Sequence, residues 1–592
     1  MIQGYDVATV RAVEDRVRAG LPDGALMQRA ARGLAQVVRD RVEELGARSV
    51  VVLAGPGDNG GDALWAASFL ASDGRRGDDD GRPDGDERRR GGDDRRGGGD
   101  DRRGGGDDRR GGRDDRRGGR DDRRGDGDER RRADERRRDG AGAQVSVVGI
   151  AARLREDGLA AAREAGCPVL LVDPAAEVLD PAVVERLRSA DLVVDGLLGI
   201  GGRPGLRGAM ARVAAVLEDR HDGPFVLAVD LPSGADPEGE DLTGPVLGAD
   251  ETVTFGVAKP VHLLPATSGC VGRLSLVDIG LDEELRHESA VVERLEQRDA
   301  AARWPVPGRE DHKYTRGVVG IVAGSDAYPG AAVLCTTTAV EAGAGMVRYL
   351  GPPRATGLVL AACPEVVPGP GRVQALVVGP GIDPLGCDHP DCEDHQADTV
   401  REALAEDVPL VVDAGALELL ARWVAGGGRR PAPTLLTPHA GELARMLTVL
   451  QREGGARETT REEVLAQPLA HARRAAALTG CTVLLKGSTT LVVDPDPTIP
   501  VRSQADAPPW LATAGSGDVL AGLAGVLMAA GLTPLEAGPV AALVHGAAAH
   551  RANPGGPVRA LAVARAIPGT VAALLAGPAP APPRVAGAGL LG

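Results

Sequence analysis

Ser49-Val-Val-Val-Leu-Ala-Gly55-Pro-Gly-Asp-Asn-Gly-Gly-Asp62 decides the fold. Its first six residues form an almost wholly apolar strand, the pattern of a parallel strand buried on both faces. A glycine-rich turn follows and opens a helix, so the unit reads strand, turn, helix. Similar strands recur at 145–150, 168–173, 191–199, 224–232 and 251–256, with helical stretches between most of them. That alternation specifies an α/β fold on a doubly wound parallel sheet. A second set lies at 317–324, 374–381, 409–415, 433–439 and 481–487, each strand ending in Gly, Pro, Asp, His or Lys. Ligands of open α/β sheets bind outside the carboxyl ends of the strands, so these terminal residues outline a site. The predicted organisation is a first domain over 1–282, a charged linker over 283–300, a second α/β domain over 301–578 and a flexible Pro/Ala/Gly tail over 579–592.

Residues 75–140 break the pattern. They hold 24 Arg, 22 acidic residues and 18 Gly but no Val, Leu, Ile or aromatic residue, so they can bury nothing and read as a disordered insert. Between Gly91 and Gly125 a seven-residue unit runs five times, as GGDDRRG and then GRDDRRG. The period is that of a coiled coil, but there is no apolar seam and the glycines oppose helix formation. Its charges nearly cancel, to +2, which favours a solvated spacer over an Arg-rich RNA- or partner-binding arm. The preceding helix is expected to end near Ala71 and a strand begins at Gln144. The insert thus occupies a helix-to-strand loop of the first domain, where extra length costs little closure entropy.

Over 592 residues, 85 acidic side chains face 69 Lys and Arg, a net charge of −16. Such a surface repels nucleic-acid phosphates and anionic membranes, and 3 Phe, 4 Tyr and 4 Trp leave little for base stacking. Neither nucleic acid nor membrane is expected as a partner. The longest apolar stretch, Val519–Leu532, is too short to span a bilayer, and the charged start is no signal peptide. A cytoplasmic enzyme is expected. Seven scattered cysteines are not a disulfide framework. Lysine is confined to Lys259, Lys313 and Lys486, all beside glycine-rich or motif-like segments.

Glycines 55, 57 and 60 satisfy G-x-G-x-x-G, which lets backbone amides approach a pyrophosphate at the positive end of a helix. A tight turn without a ligand explains the same glycines. The acidic ribose ligand of a nicotinamide redox site would fall in the insert, which argues against a dehydrogenase. Asp195 ends one strand before the loop Gly199-Ile-Gly-Gly-Arg-Pro-Gly205, and Asp230-Leu-Pro-Ser233 ends another. Asn59, Asp195 and Ser233 offer hard oxygen ligands to a cation and leave Asp230 free for proton transfer. Capping and turn roles are the alternative.

The stretches PGDNGGD, DGLLGIG, DLPSG, TVTFGVAKP and VGRLSLVDIGL resemble the NAD(P)H-hydrate epimerase domain, from about Leu26 to Leu281 without the insert. The resemblance implies a Rossmann-like domain in which Asp58, Asn59, Gly60, Gly61 and Asp62 bind substrate together with Gly199, Ile200, Gly201, Gly202, Arg203, Pro204 and Gly205. It implies a potassium ion (K+) among Asn59, Asp195 and Ser233, and Asp230 as the catalytic residue at the nicotinamide ring. Lys259 matches a family lysine without an assigned role. Asp58 departs from the family's paired asparagines and adds a carboxylate near the phosphate path.

Thr513-Ala-Gly-Ser-Gly-Asp518 opens an apolar helix. The amides of Gly515, Ser516 and Gly517 can converge on phosphate oxygens, with Asp518 placed to deprotonate an attacking hydroxyl; a plain cap would need no glycine-rich approach. Lys486-Gly487-Ser488-Thr489-Thr490 offers a point charge and hydroxyls to a nucleotide phosphate. His439, at a strand end, reads as a ligand contact or as a structural histidine.

Together with 312–317, 323–332, 379–381 and His545-Gly546, these motifs resemble the ADP-dependent NAD(P)H-hydrate dehydratases, which have a ribokinase-like α/β fold, from about Trp304 to Ala552. The resemblance implies that Lys486, Gly487, Ser488, Thr489, Thr490 and Gly517 bind ADP, with ATP as the alternative. Ala332, Gly381, His439 and Asp518 then face the hydrated nucleotide. It further implies phosphorylation of the substrate hydroxyl with Asp518 as base, Mg2+ neutralising the phosphates. Three motifs depart from the family: GPGLG reads Gly379-Pro-Gly-Ile-Asp383, DAD reads Asp413-Ala-Gly415, and an Asn-Gly stretch is replaced by Gln504–Pro509.

Cys387, His389, Cys392 and His395 offer zinc-type ligands, but their spacing is too compact for a known finger. An acidic surface loop is the favoured reading. The whole chain is expected to be a bifunctional repair enzyme that epimerises and dehydrates the hydrates of NADH and NADPH (NADHX, NADPHX), using K+, Mg2+ and ADP, as a homo-oligomer. A ribokinase-like small-molecule kinase and a non-catalytic N-terminal binding module are the alternatives.

Overall fold

The computed structural model describes residues 1–76, 143–218, 223–384, 395–451 and 457–577. The chain opens with β1 (Ile2–Gly4) and α1 (Val7–Ala19), and α2 (Ala25–Leu45) leads into β2 (Ser49–Ala54) and α3 (Asp58–Arg76). Five further parallel strands follow, β3 (Gln144–Ile150), β4 (Val169–Val172), β5 (Leu192–Gly196), β6 (Phe225–Val229) and β7 (Glu251–Phe255), then the edge strand β8 (Arg273–Val277). Their order is β4-β3-β2-β5-β6-β7-β8, with every neighbouring pair parallel. Both faces are covered: Val50 and Val52 pack into one apolar cluster, Val51 and Leu53 into another.

α3 runs five residues past Ala71, the expected helix end. Arg75 and Arg76 of the 75–140 segment are therefore helical, and the rest of that segment lies outside the described residues. The 579–592 tail is also outside them.

The second sheet contains β9 (Val292–Arg294), β10 (Val318–Val322), β11 (Met346–Tyr349), β12 (Val367–Pro368), β13 (Ala375–Val378), β14 (Leu410–Val412), β15 (Thr434–Leu436), β16 (Thr482–Leu485), β17 (Thr490–Val493) and β18 (Val501–Gln504). With β1 they order as β1-β9-β18-β17-β16-β15-β14-β13-β10-β11-β12. β10 to β16 form a parallel core, and β16-β17-β18 turn back as an antiparallel meander.

This arrangement corrects the 283–300 linker. The segment carries β9 and the helix Gln297–Arg303, and β9 pairs with β1 on one side and β18 on the other. A three-residue strand has too few positions to show a period, so its charge dominated the sequence reading. The chain start thereby joins the second sheet although α1 packs on the first. The two units also touch directly: Leu263 O accepts from Ser503 Oγ at 2.5 Å and from Arg294 Nη2 at 3.0 Å, and the Ser268 and Thr489 hydroxyls lie 2.9 Å apart. Among the described residues no helix is long and apolar enough to cross a membrane.

Candidate active sites

Chain order reverses in the first sheet between β2 and β5, and the crevice at their carboxyl ends is where an open α/β sheet receives its ligand. Asp58 to Asp62 form the first turn of α3 there rather than a free loop. A Cβ at Gly55 would lie 1.8 Å from Leu197 O, and one at Gly60 2.1 Å from Gly55 O, so only glycine permits this approach. Asn59 Nδ2 donates to Val229 O at 2.6 Å and Leu198 O at 3.3 Å. That fixes the amide with Oδ1 toward Gly199, whose Cβ would stand 2.3 Å from it. Asp195, fully buried, accepts from Ser233 Oγ at 2.7 Å, Ser233 N at 2.9 Å and Leu197 N at 3.2 Å. Burial pushes its carboxyl up to about 6 against those bonds. The three residues expected around a cation are thus gathered into one oxygen-rich cluster.

Asp230 ends β6 with a positive φ of 67°, a strained conformation for a non-glycine residue and of the kind that concentrates at functional sites. Its Oδ1 accepts from Lys259 Nζ at 2.5 Å and Thr254 Oγ1 at 3.0 Å. Burial opposes its charge, but Lys259 outweighs burial and holds the carboxyl below its ordinary value. Lys259, which the family resemblance left without a role, is therefore the buried counter-ion of Asp230. His262 Nδ1 accepts from Lys259 N at 2.9 Å, so its Nε2 carries the hydrogen donated to Asp230 O at 2.7 Å. Burial, reinforced by Lys259, lowers His262 to about 4 and keeps it neutral. Asp62 is buried, its Oδ1 has no partner among the described residues, and burial together with Asp230 and Asp58 raises its carboxyl well above the usual range. The departing Asp58 is exposed and pairs with Arg155 at 3.0 Å, which cancels its charge near the crevice. Arg203 is exposed in the 199–205 loop, and Gly205, at φ 79°, donates its N–H to Gly234 O.

In the second sheet the reversal falls between β10 and β13. Gly381, at φ 67°, brings the end of β13 against the turn after β10, where its Cβ would meet Ala331 at 2.7 Å. Ala332 is buried in the first turn of the helix Pro329–Glu341. Lys486 ends β16 and its Nζ donates to Asp413 Oδ1 at 2.8 Å, with Glu442 at 3.6 Å. Burial disfavours the ammonium, yet Asp413 and Glu442 outweigh it and raise its pKa. Gly487, Ser488 and Thr489 make the hairpin between β16 and β17, and Thr490 opens β17. Gly517 is in the first turn of the helix Ser516–Ala529, and a Cβ there would lie 3.3 Å from Lys486 Nζ. Asp518, one residue on, is raised to about 7 by burial and by Asp413, with Lys486 opposing. His439 is half-exposed and caps the helix Ala440–Leu450 by accepting from Gly441 N at 3.1 Å and Glu442 N at 3.2 Å.

Sequence reasoning missed Asp413 and Glu442 as partners of Lys486. Asp413 was in view as a strand-end departure, and Glu442 stands three residues past His439. The two departures at 379–383 and 413–415 are also neighbours, since a Cβ at Gly415 would lie 2.0 Å from Ile382 O. Cys387, His389 and Cys392 lie outside the described residues. His395 precedes the helix Gln396–Ala405 and is exposed.

Two crevices at the carboxyl edges of two α/β sheets, each with a buried aspartate governed by a lysine, define a two-site enzyme. The profile of the YjeF-related protein N-terminus matches residues 23–76 and 140–261, and that of NAD(P)H-hydrate dehydratase matches 319–567. The chain is 40% identical over 546 residues to the bifunctional NAD(P)H-hydrate repair enzyme Nnr of Mycobacterium tuberculosis strain CDC 1551, covering 90% of each chain. The corresponding enzyme of Mycobacterium leprae is 38% identical, covering 93% of this chain and 94% of that one. Among solved structures, an ADP/ATP-dependent NAD(P)H-hydrate dehydratase from Bacillus subtilis is similar at 24% identity and TM-score 0.38, over 46% of this chain and 96% of that one. The chain belongs to the family of bifunctional NAD(P)H-hydrate repair enzymes, an epimerase unit followed by an ADP-dependent dehydratase unit.

Proposed function

We propose that the first crevice interconverts the R and S hydrates of NADH and NADPH and that the second dehydrates the S form at the expense of ADP. In the first, the turn 58–62 and the loop 199–205 hold the dinucleotide and Asp230 meets the reacting ring, its charge kept by Lys259. Asn59, Asp195 and Ser233 fit a potassium ion: Asp195 is buried without a cationic side chain on it among the described residues, and Asn59 Oδ1 is free of the bonds that fix its amide. Such an ion supplies the positive charge that the buried carboxylate otherwise lacks.

In the second crevice Lys486, Gly487, Ser488, Thr489, Thr490 and Gly517 hold the nucleotide phosphates, and Ala332, Gly381 and His439 line the hydrate side. Asp518 takes the proton of the substrate hydroxyl as that oxygen attacks the terminal phosphorus of ADP and AMP departs; the carbon–oxygen bond then breaks to release phosphate, and loss of a proton from the adjacent ring carbon restores the dihydropyridine. The observation that carries this reading is Asp518 itself, at the positive end of its helix with a carboxyl near 7, beside Lys486 but not bonded to it. A base is most effective when its pKa lies near the working pH. Magnesium is expected to arrive with the nucleotide and to neutralise its phosphates. The reactions are expected in the cytoplasm. Mixed R and S hydrates incubated with and without ADP test the proposal. Full conversion requires ADP and both aspartates, Asp230→Ala strands the R form, and Asp518→Ala abolishes conversion; retained turnover in either variant refutes its assignment.

A further inference from the structure

The matched epimerase profile begins at residue 23, so α1 lies ahead of it. α1 nevertheless sits on the carboxyl edge of the first sheet. Tyr5 N donates to Ala258 O at 3.1 Å and Val7 N to Glu238 Oε1 at 3.2 Å, which ties its start to the loops after β7 and β6. Val10 and Val13 are buried in the same apolar cluster as Phe255 and Val257. Residues 11, 14 and 18, three and four apart, then form a ridge along one flank.

That flank faces the crevice. Arg11 Nη2 donates to Ile200 O at 3.2 Å, in the middle of the 199–205 loop, and a Cβ at Gly201 would lie 3.5 Å from the same nitrogen. One turn on, the largely covered Glu14 has Lys259, Asp230, Arg18 and Asp58 as its charged neighbours. The arginines of this helix differ in their partners. Arg16 pairs with Glu284 at 2.8 Å and Glu288 at 2.7 Å, and Arg18 with Asp15 at 2.7 Å. Arg11 has no carboxylate partner among the described residues, on a chain of net charge −16. A guanidinium carries five N–H donors in a rigid fork that suits phosphate. Ile200 O engages one and orients the rest over a glycine-rich loop.

We propose that α1 is a third wall of the epimerase crevice and that Arg11 binds a phosphate of the hydrated dinucleotide above the 199–205 loop. The proposal rests on reading that loop as a substrate loop. The test measures epimerase kinetics on R hydrate in the full chain, with ADP-dependent dehydration of S hydrate followed in parallel as the control for folding. Arg11→Ala is expected to raise KM about tenfold with kcat little changed, as loss of a charge-assisted bond predicts. Arg11→Lys recovers part of that loss, because the point charge returns without the fork, and Arg11→Glu raises KM further. Gly201→Asp, which adds an anion to the loop within reach of Arg11, raises KM if the loop binds substrate. An unchanged KM in Arg11→Ala, or a fall in kcat alone, overturns the proposal. If Gly201→Asp also leaves KM unchanged, the loop reading itself has failed.

Discussion

Lys259→Met tests the electrostatics of the first crevice most directly. Lys259 and Asp230 are 1% and 7% exposed as side chains and 2.5 Å apart. Methionine keeps most of the lysine stem's volume but leaves the carboxylate with only Thr254 and the His262 neighbourhood. Removing one partner of a buried pair costs about 3–5 kcal/mol; because Thr254 Oγ1 still donates to Asp230, the lower end, about 3 kcal/mol, is expected. The pH dependence has a definite sign. In the natural chain Asp230 is held below its unfolded value, so its contribution is present above that value and is lost as pH falls through the folded one. In the variant burial dominates and the carboxyl rises above its unfolded value, so the penalty appears as pH rises through the ordinary carboxylate range. The deficit is therefore full near neutral pH and shrinks on acidification. Hydrogen exchange of the β6 and β7 amides, read by mass spectrometry in the full chain, is expected to quicken about 10²-fold at neutral pH while the amides of β13 and β14 keep their protection. Epimerase activity is lost and ADP-dependent dehydration of S hydrate is retained. Equal exchange in the two proteins at neutral pH, or a deficit that grows on acidification, would refute the reasoning.

The pH–rate profile of dehydration is expected to rise through about 7 as Asp518 loses its proton; a profile flat through that range contradicts the role. Asp518→Asn is inactive in dehydration yet more resistant to unfolding than the natural chain above that pH. A carboxyl raised by folding stabilises below its unfolded pKa and loses that contribution as pH rises through the folded one. Lys486→Ala removes the cation that opposes this rise, so the limb of the profile is expected to move upward, with the nucleotide KM rising about tenfold; an unmoved limb would show that Lys486 does not act on Asp518. Potassium is expected to raise the thermal midpoint of the natural chain, by the linkage any native-state ligand shows, and to leave Asp195→Asn unaffected, as calorimetry with sodium as the control can establish.

The strands that place the sites were legible because each is a short apolar run ended by a turn residue. β2 spans Ser49–Ala54 as the sequence reading had it, and β7 differs from its reading by one residue. The strand-end aspartates were legible for the same reason, since a carboxylate directly after an apolar run has few structural reasons to be there. Partnership was harder to read. Lys259 and Asp230 are 29 residues apart and meet only because β6 and β7 are parallel neighbours. Lys486 and Asp413, 73 residues apart, need two intervening crossovers to converge. β1 and β9 escaped notice because three-residue strands have no period. They are stabilised by pairing, with Gln3 Nε2 donating to Glu293 Oε1 at 3.1 Å across a separation of 290 residues. Asp413-Ala-Gly415 looked like a loss when compared with its family pattern. In the fold Ala414 adopts φ 45° and Gly415 makes room for Ile382 O, so the two departures fit one another.

The two crevices share a device and differ in where the ammonium is attached. Lys259 bonds Asp230 itself, so that carboxylate stays charged across the physiological range and acts as a fixed anion. Lys486 instead bonds Asp413, an accessory carboxylate that Thr437 Oγ1 also fixes at 2.8 Å. Asp518 then feels Asp413 as a like charge and Lys486 only at a distance, which leaves it near 7 and able to accept a proton. Environments that push carboxyl groups apart in this way mark the division between a charge holder and a base. A base for a substrate hydroxyl, the role proposed for Asp518, must change state during the step, and its lysine is accordingly bonded to a neighbouring carboxylate and not to it.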